Sequence, residues 1–396
     1  MAASCPGLRE QSSLAYAAGM SAAETTIAEG LAALAARDMP RAAALLREAA
    51  IGAERTAMPW LALANAEMAL GDNDAAEAAL DTQLELTPRE VGALLLKGLL
   101  RERAGDARAA VSFYHLALAQ AAENGAVPPP LAGLHAHARA YAGKAGAEFE
   151  AHLLDALGTD LSPTMAEAVD LLTGKRRLFL QQPSVFYYPG LPQRQFFDSR
   201  QFPWFQPMLA LLPAMQTELA AVLGDGEGGG FTPYVRRTRN RPAPTNPLLD
   251  SQDWGAFHFW RDGEVVEANA ARCPATMAAL EHAPMPRIPG RSPNAHWSRL
   301  RPGAHIAPHN GMLNTRLICH IPILTAPACT LRVGNEARQW EDGVPLVFDD
   351  SIEHEARNAG PQERVVLLFE IWRPEIGEED RAAISRVFEA IGAYGT

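Results

Sequence analysis

The sequence predicts two domains of different class, an α-helical repeat solenoid followed by an antiparallel β jelly roll of the double-stranded β-helix type. Three observations predict this. Small and large apolar residues recur with a 34-residue period within residues 22–157. From about residue 183 the helical periodicity fades while proline, glycine and aromatic residues rise. Short apolar runs bounded by turn residues then follow one another without intervening helices, the mark of a sandwich or jelly roll rather than a parallel sheet.

The repeats come first in the chain. Gly71-Asp72 and Gly105-Asp106 lie one period apart, and Arg37-Asp38 sits one period upstream. In this register Ala42, Ala76 and Ala110 align, as do Leu46, Leu80 and Tyr114, and then Ala49, Gln83 and Ala117. Trp60 and Leu63 open a unit, Pro88 closes it, and Gly98 takes a small-residue position where two helices touch. The pattern resembles the tetratricopeptide repeat, with units near 23–56, 57–90 and 91–124. A single unit cannot bury its apolar face alone, so stacking builds one core and a concave surface able to recruit a protein partner. These units fall in a domain spanning 22–160, after a flexible N-terminus at 1–21. Pro128-Pro129-Pro130 stops the third unit, and capping helices are expected over Leu131–Gly143 and Glu148–Leu157. His135 and His137, two apart on a helix, share no face and read as solvent-exposed. A helical linker at 161–182 leads into the second domain, 183–396.

In that domain YYPGLPQRQFFDSRQFPWF (187–205) carries turn signals but no metal-ligand spacing, and is expected to shape the mouth of the barrel. Leu209–Leu223 reads as one amphipathic helix. GDGEGGG (224–230) and RRTRNRPAPTNP (236–247) read as loops, the second basic and proline-rich. WGAFHFWRDG (254–263) alternates and ends in Asp-Gly, a strand running into a turn. Further strands are expected at Ala295–Arg301, Arg316–Leu324, Thr330–Val333, Pro345–Phe348 and Val365–Trp372.

Composition narrows the function. A net charge of -11 argues against a general nucleic-acid binder, whose footprint would be basic. Cys5, Cys273, Cys319 and Cys329 share no CxxC spacing, so neither a zinc site nor a disulfide framework is indicated. A reducing compartment, and hence a cytoplasmic location, is the expectation. No basic n-region with a sustained apolar core opens the chain, and no run of about 18 apolar residues spans a membrane.

The chemistry concentrates between His296 and Pro374. His309 and His354 each stand beside a turn-like glycine or acidic segment, and Arg364 opens an apolar strand-like run after them. Imidazoles suit Fe(II) and leave coordination positions for a cosubstrate and dioxygen. The planar fork of an arginine matches a carboxylate bidentately. His305 has the same strand parity as His309 and competes with it as a ligand.

PGAHIAPHNG, NTRLICH, NEARQWEDG, FDDSIEHE and IWRPE, in this order, resemble the aspartyl/asparaginyl β-hydroxylase branch of the Fe(II)/2-oxoglutarate dioxygenases. The likeness begins at residue 187 and covers about half the chain. The resemblance implies a cupin-like barrel with His309 and His354 as iron ligands. It assigns Arg364, Ser298 and His320 to 2-oxoglutarate and Arg316 to a substrate carboxylate. Most relatives in the wider superfamily place an acid two residues after the first histidine; here Gly311 stands there, as in this branch, where water is thought to fill the position. Asp349, Asp350, Glu353 and Glu355 stay open as direct ligands, with Asp350 better cast as a catalytic group holding that water or a histidine N–H. A second basic residue found in some relatives is replaced by Ile318, which weakens the case for an aspartyl substrate.

The implied reaction consumes 2-oxoglutarate and dioxygen and hydroxylates an aspartyl/asparaginyl-type side chain in a protein, peptide or carrier-bound amino acid. A lipid acyl-chain hydroxylase and a non-catalytic repeat scaffold with a degenerate barrel are the alternatives.

Overall fold

The computed structural model describes residues 21–125, 127–158, 160–226, 229–238 and 242–394. The expected flexible N-terminus therefore lies outside the described residues but for Ser21, as do 227–228 and 239–241 of the two expected loops. The chain divides into two compact units between Ala166 and Glu167.

The first unit is helical, and its pairs obey the period. α1 (Ala22–Ala35) packs on α2 (Met39–Gly52), α3 (Trp60–Leu70) on α4 (Asn73–Leu86), and α5 (Val91–Arg103) on α6 (Ala107–Asn124). Each pair closes on a small-against-large contact. A Cβ on Gly30 would stand 2.8 Å from Leu46, and one on Gly98 would stand 2.5 Å from the Tyr114 ring. Ala64 and Leu80, both fully buried, take the corresponding positions of the middle pair. The turns repeat as well. Arg37, Gly71 and Gly105 all have positive φ, and Asp38, Asp72 and Asp106 follow as N-caps accepting from the N–H of Arg41, Ala75 and Ala109. The tetratricopeptide-like reading thus holds at the level of contacts.

Two capping helices were expected after the triple proline, but α7 (Ala132–Leu157) is continuous. Gly143 and Gly146 only weaken a helix, and no proline falls between them to break it. His137 is exposed and reaches Glu102, while His135 is half-buried. A further helix, α8 (Pro163–Leu172), contains the division between the two units.

The second unit is built on two antiparallel sheets. The larger holds β1 (Phe196–Phe197), β10 (Leu346–Phe348), β7 (Arg316–Leu324), β12 (Arg364–Trp372), β5 (Ala295–Leu300), β3 (Trp254–Arg261) and β2 (Thr232–Pro233), in that order, with β4 (Glu264–Val265) on β3. The smaller runs β6 (His305–His309), β11 (His354–Asn358), β8 (Cys329–Val333) and β9 (Glu336–Gln339). This is the jelly-roll architecture that the strand spacing predicts.

The larger sheet is buried on both faces, which strand alternation separates. Val365, Leu367, Phe369 and Ile371 face outward against helices α9 (Phe205–Ala210), α10 (Leu212–Gly224) and α12 (Pro274–Glu281); a single turn, α11 (Glu267–Ala270), precedes the last. Val366, Leu300 and Ile318 face inward toward Leu331, Val333 and Ala356 of the smaller sheet. The expected single helix over 209–223 is two, because Pro213 restarts the helix in its first turn. α13 (Glu378–Tyr394) closes the unit, burying Ile384 and Phe388 against Leu191, Ile288 and Leu313.

Candidate functional site

The two sheets enclose a cavity of about 790 Å³ that opens to solvent and is lined by His309, His354, Asp350, Arg364, Ser298, His320 and Arg316, while His305, Asp349, Glu353 and Glu355 lie outside its lining. Its smaller-sheet wall carries the histidines. β6 and β11 pair in a register that sets His354 directly opposite His309, with ring centroids 4.2 Å apart. Each imidazole shares its Nδ1 proton with a carbonyl two residues back, His309 with Ala307 O at 2.8 Å and His354 with Ile352 O at 3.1 Å. That fixes the tautomer and leaves both Nε2 lone pairs free. Burial first, and His309 beside it second, push His354 down to about 3, so it stays a neutral ligand-type imidazole. Among the described residues no group of three or more His, Cys, Asp or Glu gathers at metal-binding distance; the imidazoles stand as a pair.

The neighbouring acids are mostly engaged elsewhere. Asp349 is fully buried and pairs with Arg373, while Gln181 donates to it at 2.6 Å and Ser351 Oγ donates at 2.5 Å. Glu353 and Glu355 both pair with Arg332, and Glu355 also holds His305 at 2.7 Å. His305 therefore turns to Glu355 and away from the two-histidine site. Asp350 alone remains: it is buried, and its Oδ1 has no hydrogen-bond partner. Desolvation raises it to about 7, against the pull of Arg316 and with Asp349 and Glu370 adding to the rise.

The larger sheet supplies the opposite wall. Arg364 is buried, donates from NH1 to Ser298 O at 3.0 Å and lies 4.3 Å over the Trp340 ring. No carboxylate pairs with it among the described residues, and its Nε has no partner. Ser298 Oγ accepts from Trp254 Nε1 at 3.2 Å. His320 Nδ1 accepts from Trp340 Nε1 at 3.2 Å, so the proton of the neutral ring sits on Nε2, which has no acceptor. Burial and the Arg364 charge hold His320 well below the ordinary range. A buried guanidinium without an anion, next to an unanswered N–H donor, is the pattern an acidic ligand completes.

Arg316 differs from Arg364. It forms a close ion pair with Glu370, and Glu370 Oε1 also accepts the Asn294 backbone N–H at 2.9 Å. Sequence reasoning passed over two cavity residues, His258 and His296. His296 is buried with neither ring nitrogen bonded, and His258 Nδ1 is likewise without a partner. Its signal was the strand parity His296 shares with Ser298.

Residues 213–374 match the sequence profile of the family described as aspartyl/asparaginyl beta-hydroxylase. The mouse aspartyl/asparaginyl beta-hydroxylase is 32% identical over 142 residues, covering 35% of this chain and 19% of that protein. Mouse aspartate beta-hydroxylase domain-containing protein 2 is 30% identical over 220 residues, 53% of this chain and 60% of that protein. The chain thus spans only part of the length of these curated relatives. Among solved structures, the TPR2B domain of yeast Sti1 matches 30% of this chain and 95% of its own at 24% identity, with a TM-score of 0.27. The Schizosaccharomyces pombe Cnp3 cupin domain matches 31% of this chain and 67% of its own at 6% identity, with a TM-score of 0.22. Through residues 213–374 of its β-rich unit, behind tetratricopeptide-like repeats, the chain is similar to the aspartyl/asparaginyl β-hydroxylase family.

Proposed function

We propose that the chain is an Fe(II)- and 2-oxoglutarate-dependent dioxygenase that hydroxylates an aspartyl/asparaginyl-type side chain of a protein, a peptide or a carrier-bound amino acid. The observation that carries this reading is the unpaired, buried Arg364 guanidinium, in the same cavity as the facing imidazoles of His309 and His354. The residues fit both groups. Two free Nε2 lone pairs suit Fe(II), and Arg364, with the Nε2–H of His320 and the hydroxyl of Ser298, suits a dicarboxylic keto acid.

Bound iron would supply the coupling of 2-oxoglutarate decarboxylation to oxygen insertion at an unactivated C–H bond, giving succinate, carbon dioxide and the alcohol. The chain's own groups position and screen. Arg364 and Ser298 hold the distal carboxylate, and His320 donates a hydrogen bond toward the keto-acid end. Trp340 stacks against Arg364 and fixes the His320 tautomer through Nδ1. Asp350, whose carboxylate fills the space beside Gly311 and whose Oδ1 is free, can accept a hydrogen bond from water at the histidine pair. The concave face of the repeats would recruit the protein substrate. No helix among the described residues is long and apolar enough to cross a membrane.

The test is anaerobic titration with Fe(II) and 2-oxoglutarate, then succinate release across peptide, free amino-acid and lipid panels. Metal-dependent 2-oxoglutarate binding with peptide-stimulated succinate supports the reading, and absence of 2-oxoglutarate binding removes it.

A further inference from the structure

Along β12 the inward residues 364, 366, 368 and 370 step away from the distal-carboxylate end, roughly 20 Å in all at strand rise. One row beyond Ser298, cross-strand pairing aligns His320 with Leu368, Leu368 with His296, and His296 with His258, all lining the cavity. The next row carries Ile318 and Glu370. His320 serves the keto-acid side, which leaves His296, His258 and the Arg316–Glu370 pair at the end where an acceptor side chain would lie.

We infer that this end of the cavity reads a neutral carboxamide and discriminates against a carboxylate, with His296 as the reading group and Glu370 as the residue that cancels Arg316; the inference rests on the dioxygenase reading and names its acceptor class. Three observations support it. First, His296 is 2% exposed and both its ring nitrogens lack partners, while His258 lies 4.9 Å away with Nδ1 unpartnered. A neutral imidazole presents one donor and one acceptor. A carboxamide answers both, through its N–H and its C=O, whereas a carboxylate only accepts and leaves the imidazole acceptor orphaned.

Second, the imidazoles are poor candidates for carrying charge. Burial drives His296 well below the ordinary range and His258 to about 4, and two adjacent buried cations would repel. Third, the arginine nearest Glu370 is occupied. Arg316 is already paired with Glu370, which is 1% exposed and held by Asn294, so an incoming carboxylate meets a second buried anion rather than a free cation. Arg291, also on the cavity wall, stacks 4.5 Å over Phe388 and shares that side with Asp262.

The experiment measures calorimetric binding of two isosteric probes, N-acetylasparagine methylamide and N-acetylaspartate methylamide, to the full chain under anaerobic Fe(II) and 2-oxoglutarate. Affinity for 2-oxoglutarate is read on the same samples. The asparagine probe is expected to bind at least tenfold tighter. Glu370→Gln, which frees Arg316, should move the ratio at least tenfold toward aspartate. His296→Phe should weaken the asparagine probe at least tenfold while 2-oxoglutarate affinity changes less than threefold, so the inference stays testable if one variant fails to fold. Equal binding, a preference for aspartate, or binding of neither probe overturns the inference and leaves the dioxygenase reading standing. Failure to bind 2-oxoglutarate removes both.

Discussion

Gly311 and Asp350 share one space: a Cβ on residue 311 would lie 2.2 Å from Asp350 Oδ2, and the Gly311 N–H donates to Asp350 O at 2.6 Å. A side chain at position 311 has no room here, because Asp350 arrives in that space from the connection between β10 and β11. The missing side chain and the buried acid are therefore one feature.

Gly311→Ala should force Asp350 aside. Overpacking of this kind typically costs about 1–3 kcal/mol. Urea unfolding should show that loss in the wild-type background and little of it in an Asp350→Ala background, since residues in contact are energetically coupled. An equal cost in both backgrounds would mean that Asp350 is not what excludes the methyl group.

Arg364 and Arg316 should separate in 2-oxoglutarate binding. Truncating one partner of a desolvated charge pair costs about 3–5 kcal/mol, and tenfold in affinity is about 1.4 kcal/mol. Arg364→Ala should thus weaken 2-oxoglutarate by roughly two orders of magnitude or more. Arg316→Ala should barely touch it and should instead destabilise the fold by stranding Glu370. Anaerobic titration of both variants decides, and equal losses of 2-oxoglutarate affinity would assign both arginines to the cosubstrate.

The buried histidines fix the direction of acid sensitivity. His258 is depressed to about 4, and His296 and His320 lie well below their ordinary value, burial being the main cause. Unfolding returns each to about 6.5. Below that value the unfolded chain binds more protons, so stability is present at neutral pH and lost as pH falls from about 6.5 toward 4. Each group adds up to about 1.4 kcal/mol per pH unit to the slope. His258→Gln should flatten the urea-midpoint profile in that window, and an unchanged slope would place His258 in water.

The legible parts of the sequence were those whose signal is local or periodic. Leu46, Leu80 and Tyr114 announced the helix pairs because each meets its small partner once per period. β7 and β12 announced themselves as long apolar runs, since both faces of their sheet are buried. β6 and β11 were harder. Both are short and largely polar, and Pro308 interrupts β6, which only an edge strand tolerates. That Arg316 is cancelled by Glu370, and that His296 lies bare, depends on pairing across β5, β7 and β12, which no single strand's sequence reveals.

Arg37 offers a last test, in the repeats. It sits at φ 61, where the equivalent Gly71 and Gly105 sit at 80 and 77, and it is the only one of the three turns to hold a side chain in the left-handed region. An L-residue there costs roughly 1–2 kcal/mol, whereas glycine enters freely. Arg37 is exposed, and a Cβ at Gly71 or Gly105 would meet nothing within 4 Å, so backbone conformation alone distinguishes the three positions. Arg37→Gly should stabilise the helical unit by roughly 0.5–1 kcal/mol once the greater freedom of glycine in the unfolded chain is deducted. Gly71→Ala should destabilise it by a similar amount. Far-ultraviolet circular dichroism through urea unfolding reads both, and a destabilising Arg37→Gly would mean that the arginine side chain contributes more to its turn than the strained backbone takes away.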